Sequence, residues 1–342
     1  MYADVDWRDL IDRIIANEAS DIHLTVGQRP YMRCQGMLSA MCMAPLTACF
    51  MSDFTSVILN ESQRELLARG TDIDLSWTFS GRRFRVNAYC QQGFPALAIR
   101  LLPERIPSLE ELGAPKAWQR LKDVDHGLIL VTGRTGSGKT TTLAAFIEEL
   151  NQEKSYHIIT LEDPIEYVYE PRKCFFSQRE LGRDFLDFSQ ALRSALREAP
   201  DVILVGEIRD AQTMKTAMMA AETGILVLAS LHTSSAVDTA LRVEGLFSLA
   251  EQEIVRAEFS DVLSAIVSQS LIPGAQGGRK NLSEVLLSDM AVRNIIRQGK
   301  YSQLSSVMLS HQQQGMQTRD KALDNLLEEN SITREIWSRY HS

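Results

Sequence analysis

Two hydrophobic periods open the chain. Leu10, Ile11, Ile14 and Ile15 recur at helical spacing within residues 7–18, and Ile22, Leu24 and Val26 then alternate strictly with Asp21, His23 and Thr25 until Gly27. A helix followed by a strand is expected. A second alternating run, Ile73, Leu75, Trp77 and Phe79, breaks at Ser80-Gly81 and resumes at Phe84, Val86 and Ala88. A further strand candidate follows over 96–102. These runs predict an antiparallel sheet in an α+β domain.

Residues 103–115 hold three prolines and few alternating apolar positions, which suits a connector between domains. From Gly127 the pattern changes to short apolar strands at 128–131, 158–161, 202–205 and 225–229, separated by helical stretches. Continuous apolar strands alternating with helices predict a parallel sheet covered on both faces. After Pro273 the chain is expected to be mainly helical, with candidates at 291–298, 303–308 and 321–329.

Composition narrows the function classes. The 342 residues include 36 basic and 44 acidic side chains, a net charge of −8, with 44% hydrophobic residues. Length alone allows about two or three domains. No window approaches the roughly 18 consecutive apolar residues of a membrane span, and acids stand near the start where a secretory signal would carry bases. A cytoplasmic protein is the expectation. The acidic balance argues against sequence-independent binding to nucleic acid, which rests on cationic neutralisation of phosphates. Five cysteines without a Cys-x-x-Cys pair indicate neither a disulfide framework nor a thiolate zinc site, and they are expected to be reduced and mostly buried.

The first chemical signal is Gly133-Arg134-Thr135-Gly136-Ser137-Gly138-Lys139-Thr140, which fits Gly, four residues, Gly, Lys, Ser/Thr. It follows the 128–131 strand and opens a helix whose Leu143, Phe146, Ile147 and Leu150 share one face. The glycines let backbone amides turn towards a phosphate chain, and the helix N-terminus adds a favourable dipole. Lys139 is expected to reach the β and γ phosphates and Thr140 to ligate magnesium, with Thr141 completing the nucleotide-binding run. A second signal is the strand 202–205, followed by Gly206-Glu207, an apolar strand delivering a carboxylate; Glu207 is the candidate acid on the magnesium side. Glu162-Asp163-Pro164-Ile165-Glu166 and Leu231-His232-Thr233 also place polar groups at strand ends.

With these elements placed, the sequence resembles the PilT family of secretion-type ATPases, the retraction motors of type IV pili, over nearly its whole length. The resemblance includes Ser20-Asp21-Ile22-His23-Leu24, Arg83-Phe84-Arg85-Val86-Asn87, Gly206-Glu207-Ile208-Arg209-Asp210, Gly315-Met316-Gln317-Thr318 and the segment from Ala291 to Arg297. It implies an α/β chain with a PAS-like N-terminal domain over 1–102, a linker over 103–115, and a RecA-like ATPase domain over 116–342 that includes C-terminal helices from about 274. It also implies a homohexameric ring with ATP and Mg2+ bound between domains, driven by nucleotide-dependent domain rotation. The ring is expected to act on an inner-membrane pilus platform protein, peripheral to the membrane, with a paralogous motor as a further partner.

Residue by residue, the resemblance makes Glu166 the general base for the attacking water and Glu207 the magnesium-associated acid, with Glu162 beside the metal and Asp163 shaping the pocket. Arg83, Arg85 and Arg100 are expected to reach the nucleotide phosphates, and His232 to sense the phosphate region. Glu222-Thr223-Gly224 is followed by Ile225 where the family usually has histidine, Ser270 replaces a frequent arginine, and Arg134 a common proline. The chain is expected to lack the extra N-terminal domain and four-cysteine element of the larger extension ATPases, and to group with the compact retraction class. The leading expectation is a pilus retraction motor. A type IVB secretion or conjugation ATPase, a weakly hydrolysing accessory subunit and a DNA translocase are the alternatives.

Overall fold

The computed structural model describes residues 6–17, 19–34 and 36–341. The elements, in chain order, are α1 (Trp7–Ala16), β1 (Asp21–Leu24), β2 (Tyr31–Cys34), β3 (Met37–Ala40), α2 (Ala48–Ile58), α3 (Glu61–Ala68), β4 (Ile73–Phe79), β5 (Arg82–Gln91), β6 (Phe94–Leu101), α4 (Ala117–Leu121), β7 (Gly127–Thr132), α5 (Lys139–Glu153) and β8 (His157–Glu162). Then come β9 (Phe175–Glu180), α6 (Phe188–Ala195), β10 (Val202–Val205), α7 (Ala211–Glu222), β11 (Leu226–Leu231), α8 (Ala236–Gly245), α9 (Gln252–Val262), β12 (Leu263–Pro273), β13 (Arg279–Leu287), α10 (Met290–Arg297), α11 (Leu304–Ser310), α12 (Arg319–Glu328) and α13 (Arg334–Tyr340). They form two compact units: the described residues up to Arg105 with Asp163–Val168, and Ile106–Glu162 with the described residues from Tyr169 onwards.

The first unit is a six-stranded sheet in the order β3-β2-β1-β6-β5-β4, with every pairing antiparallel. Alternation along the strands has the expected outcome: Ile22 pairs with Ile99, Leu24 with Leu97 and Leu75 with Val86, and all six side chains are buried. Their core also takes in α1, capped by the Asp6 side chain, and α2, capped by Thr47. Phe54 of α2 is fully buried, stacked on Trp7 at 5.4 Å and edge-on to Trp77 at 5.8 Å. Truncating a ring of this kind removes buried apolar area and leaves a cavity. Phe54→Ala is therefore expected to lower the unfolding free energy by about 3–5 kcal/mol, read as a shift in the urea midpoint of this unit.

The second unit is a seven-stranded sheet in the order β13-β12-β7-β11-β10-β8-β9. All of its pairings are parallel except that of β12 with β13. The four strands expected from their apolar runs are neighbours in this sheet, in the order β7-β11-β10-β8, and β7, β10 and β11 are buried along their whole length. Three strands were not expected. β9 reads Phe-Phe-Ser-Gln-Arg-Glu, polar because it is an edge; β12 continues from α9 through alternating serines; β13 begins with two charged residues. After Pro273 the three expected helices are present as α10, α11 and α12, and the strand β13 and the helix α13 are additions to that expectation.

A second correction concerns the cysteines. All five are free, but only Cys174 is buried; Cys34 is half-buried and Cys42, Cys49 and Cys90 are exposed. No helix among the described residues is long and apolar enough to cross a membrane.

Candidate functional site

The phosphate-binding run sits where β7 ends. Because β7, β11 and β10 are parallel neighbours, their C-terminal ends share one edge of the sheet, the place where open α/β sheets bind ligands. That edge carries Gly133–Gly138 after β7, His232 after β11 and Glu207 after β10.

Two glycines of the loop are required by space. A Cβ on Gly133 would stand 2.3 Å from the Gln269 carbonyl oxygen and 2.5 Å from Ser137 Oγ; one on Gly138, whose φ is +87°, would stand 2.9 Å from Gln269 Nε2. Gln269 of β12 thus lines the loop, and its amide also donates to the Ser137 carbonyl at 2.7 Å. Its neighbour Ser268 is paired with Thr132 across the sheet, so β12 holds the loop from outside.

The loop leads into α5, a 15-residue helix whose Leu143, Phe146, Ile147 and Leu150 are buried, as expected. Ser137 Oγ is buried with no hydrogen-bond partner in the chain, an uncommon condition that a bound phosphate oxygen would relieve. The loop therefore fits a nucleotide phosphate chain.

Lys139 closes back over the loop. Its ammonium donates to the Gly133 carbonyl at 2.8 Å and the Arg134 carbonyl at 3.3 Å, and lies 3.4 Å from His232 Nδ1. An ammonium has only protons to give, so Nδ1 must accept, and the imidazole proton is placed on Nε2. From there it faces Glu207 Oε1 at 3.0 Å. The other Glu207 oxygen accepts from Arg209 at 2.9 Å. Burial raises the Glu207 carboxyl, but the Arg209 hydrogen bond and charge, with smaller contributions from the neighbouring His232 and Lys139, outweigh it and hold the group below the ordinary range. An ionised carboxylate beside a phosphate loop is a suitable magnesium-side ligand, with Thr140 as the hydroxyl donor. Among the described residues no group of three or more His, Cys, Asp or Glu could hold a metal alone. Magnesium is usually carried by one or two carboxylates together with substrate phosphates and water.

Glu162 ends β8, the strand next to β10, so it leaves the sheet at the same end as Glu207. Its buried carboxylate accepts from the Thr160 hydroxyl at 2.7 Å and from Gln178 at 3.4 Å.

Glu166 belongs to the first unit with the three arginines, while Lys139, Glu207 and His232 belong to the second. Arg83 donates to the Ile165 carbonyl at 2.9 Å and to Ser76 at 2.5 Å. Arg85 is bonded to Asp74 and lies 3.6 Å from Glu166 Oε1. The Asp74 hydrogen bond, first among several carboxylate contacts, raises the Arg85 guanidinium further. Arg100 pairs with Asp21 at 2.8 Å, directly across β1 and β6. Burial would raise Asp21, but the Arg100 and Ser20 hydrogen bonds keep it low. Asp74 and Ser76 were not singled out in the sequence, and Asp21 and Arg209 stood there only within family motifs, without a role. Only their register against the arginines, or the spacing Glu207-Ile208-Arg209, could have found them.

Ile225 stands at the opposite edge. It precedes β11, its carbonyl accepts from Gly127 at the start of β7, and it is buried. With β11 six residues long, it lies about 20 Å from the His232 end.

A family model described as "Type II/IV secretion system protein" matches residues 5–338. The chain is 44% identical over 332 residues to "Type IV pilus retractation ATPase PilT" of Pseudomonas aeruginosa, covering 97% of this chain and 96% of that protein. Among solved structures, the pilus retraction motor PilT with bound ADP superposes at a TM-score of 0.91 with 42% identity, covering 98% of this chain and 97% of that one. The Legionella pneumophila ATPase DotB superposes at 0.86 with 29% identity, covering 97% and 94%.

Proposed function

This chain belongs to the type II/IV secretion system protein family, and we propose that it is an ATP-hydrolysing motor powering retraction of a type IV pilus. The observation that carries the reading is the line from Lys139 through His232 to Glu207 on a phosphate-binding loop, in a chain similar from end to end to a retraction ATPase. The first unit is the PAS-like domain and the second the RecA-like ATPase with its C-terminal helices.

In the proposed mechanism, loop amides and Lys139 bind the β and γ phosphates, and Thr140 and Glu207 hold Mg2+, partly through water. The metal neutralises charge on the phosphates when bound. Glu166 orients and deprotonates the attacking water. Arg83, Arg85 and Arg100 leave their present carboxylate and carbonyl partners to meet the developing phosphate charge, a contribution of about 10³–10⁵ in rate where arginines play this part elsewhere. Six copies form the ring, and sequential hydrolysis rotates the domains against an inner-membrane platform protein, with membrane contact indirect and a paralogous motor as a partner.

Phosphate release per subunit is expected to rise with protein concentration as the ring assembles, to need Mg2+, and to vanish in a Lys139→Ala blank. Turnover independent of concentration would remove the ring, and tight ATP binding without turnover would favour an accessory subunit. Ile225 gives that accessory reading little support, since it lies at the far edge of the sheet from the loop. The likeness to DotB sustains one second reading, a secretion ATPase. Deleting the gene separates the two: a retraction motor loses pilus withdrawal, whereas a secretion ATPase loses substrate export.

A further inference from the structure

His232 is half-exposed and sits in the short turn 232–235 between β11 and α8, so something must fix where its ring stands. One row of paired residues crosses four strands at the end of this turn. Leu231 of β11 is opposite Thr132 of β7, Thr132 is opposite Ser268 of β12, and Ser268 is opposite Glu284 of β13. Directly paired residues project from the same face of a sheet, so Thr132, Ser268 and Glu284 line up together.

Each makes a polar contact within this region. Thr132 and Ser268 share a hydrogen bond of 2.7 Å. The fully buried Thr239 of α8 lies 3.4 Å from Thr132 and donates to the Ser235 carbonyl at 2.6 Å. A hydroxyl has one proton, and Thr239 has given its own to Ser235; the Thr233 hydroxyl, 2.7 Å away, must therefore be the donor in their mutual bond. At the end of the row, Glu284 Oε1 accepts from the Ala236 amide at 2.6 Å. That amide is the first of α8 and has no partner within the helix, while Ser235 caps the amide of Asp238. A carboxylate at a helix N-terminus is also favoured by the helix dipole.

We propose that Glu284 is a positioning residue for His232. It ties the start of α8 to β13 while Thr239 ties the middle of the turn, so the four residues after Leu231 hang between fixed points. The His232 ring is thereby held between Lys139 and Glu207. Glu284 touches neither nucleotide nor metal in this arrangement; it acts through the turn. The inference rests on the ATPase reading above.

The test is steady-state kinetics on the assembled full chain with ATP and Mg2+. Glu284→Ala is expected to lower kcat by about ten- to a hundredfold, the order expected for a displaced catalytic contact, with KM for ATP changed less than about twofold because the phosphate loop is untouched. Glu284→Gln, whose amide oxygen can still accept from Ala236, is expected to restore kcat to within about threefold. In a His232→Ala background, Glu284→Ala is expected to cause no further loss beyond about twofold, because the two act as one unit.

A capping role confined to stability gives a different pattern: lowered thermal stability, unchanged kcat, and no dependence on His232. That pattern, or equal losses in both backgrounds, overturns the proposal. Should Glu284→Ala fail to fold, Thr239→Val carries the same expectation through the other tie. A wild-type protein no faster than the Lys139→Ala blank overturns the ATPase reading and the inference with it, whereas wild-type turnover with Glu284→Ala undiminished overturns the inference alone.

Discussion

Lys139→Ala is expected to reduce ATP turnover by about 10²–10³-fold or more, to the level of the assay background, while the fold survives. Removing a single preorganised charge from a site where negative charge develops costs about that much in other enzymes, and Lys139 is the cation at the centre of the loop. Its ammonium already spans the Gly133 carbonyl and His232, so the variant loses both the phosphate contact and the group that fixes the His232 tautomer. The helix itself should tolerate the change, since alanine is the best helix former and Lys139 is the first residue of α5. A thermal midpoint within a few degrees of wild type, with turnover abolished and nucleotide binding weakened, is the expected combination. Turnover within tenfold of wild type would remove the loop from the mechanism.

The legibility of this protein in its sequence follows burial. β7, β8, β10 and β11 are central parallel strands, and their continuous apolar runs can be read without knowing the fold. β9, β12 and β13 are at or near the edges, where one face or one end meets solvent and serines and charges interrupt the pattern. The phosphate loop was equally plain, because its glycines answer to local geometry. Gln269 and Glu284 were not, since each acts on a segment more than 40 residues away, through strand order that no local period records. Likewise 163–168 reads as a polar turn after β8, and its membership of the first unit depends on long-range contacts with Arg83 and Arg85. The place of Ile225 could be judged only once β11 had a direction.

Glu166→Gln is expected to lower kcat by about 10²–10⁴-fold with little change in KM for ATP, the range for loss of a general base. Glutamine keeps the shape and one acceptor oxygen but cannot take a proton. A rival account is that Glu166 matters only by holding Arg85, which it approaches at 3.6 Å. The geometry weakens that account, since Asp74 makes the closer contact, at 2.5 Å, and would keep Arg85 in place without Glu166. The two accounts separate in an Arg85→Ala background. If Glu166 acts on water, Glu166→Gln should still reduce kcat there by a large factor, because the proton acceptor is lost independently of the arginine. If it merely holds Arg85, the second substitution should cost nothing further. Arg85→Ala alone should lower kcat less than Glu166→Gln, because Arg83 and Arg100 remain to share the phosphate charge.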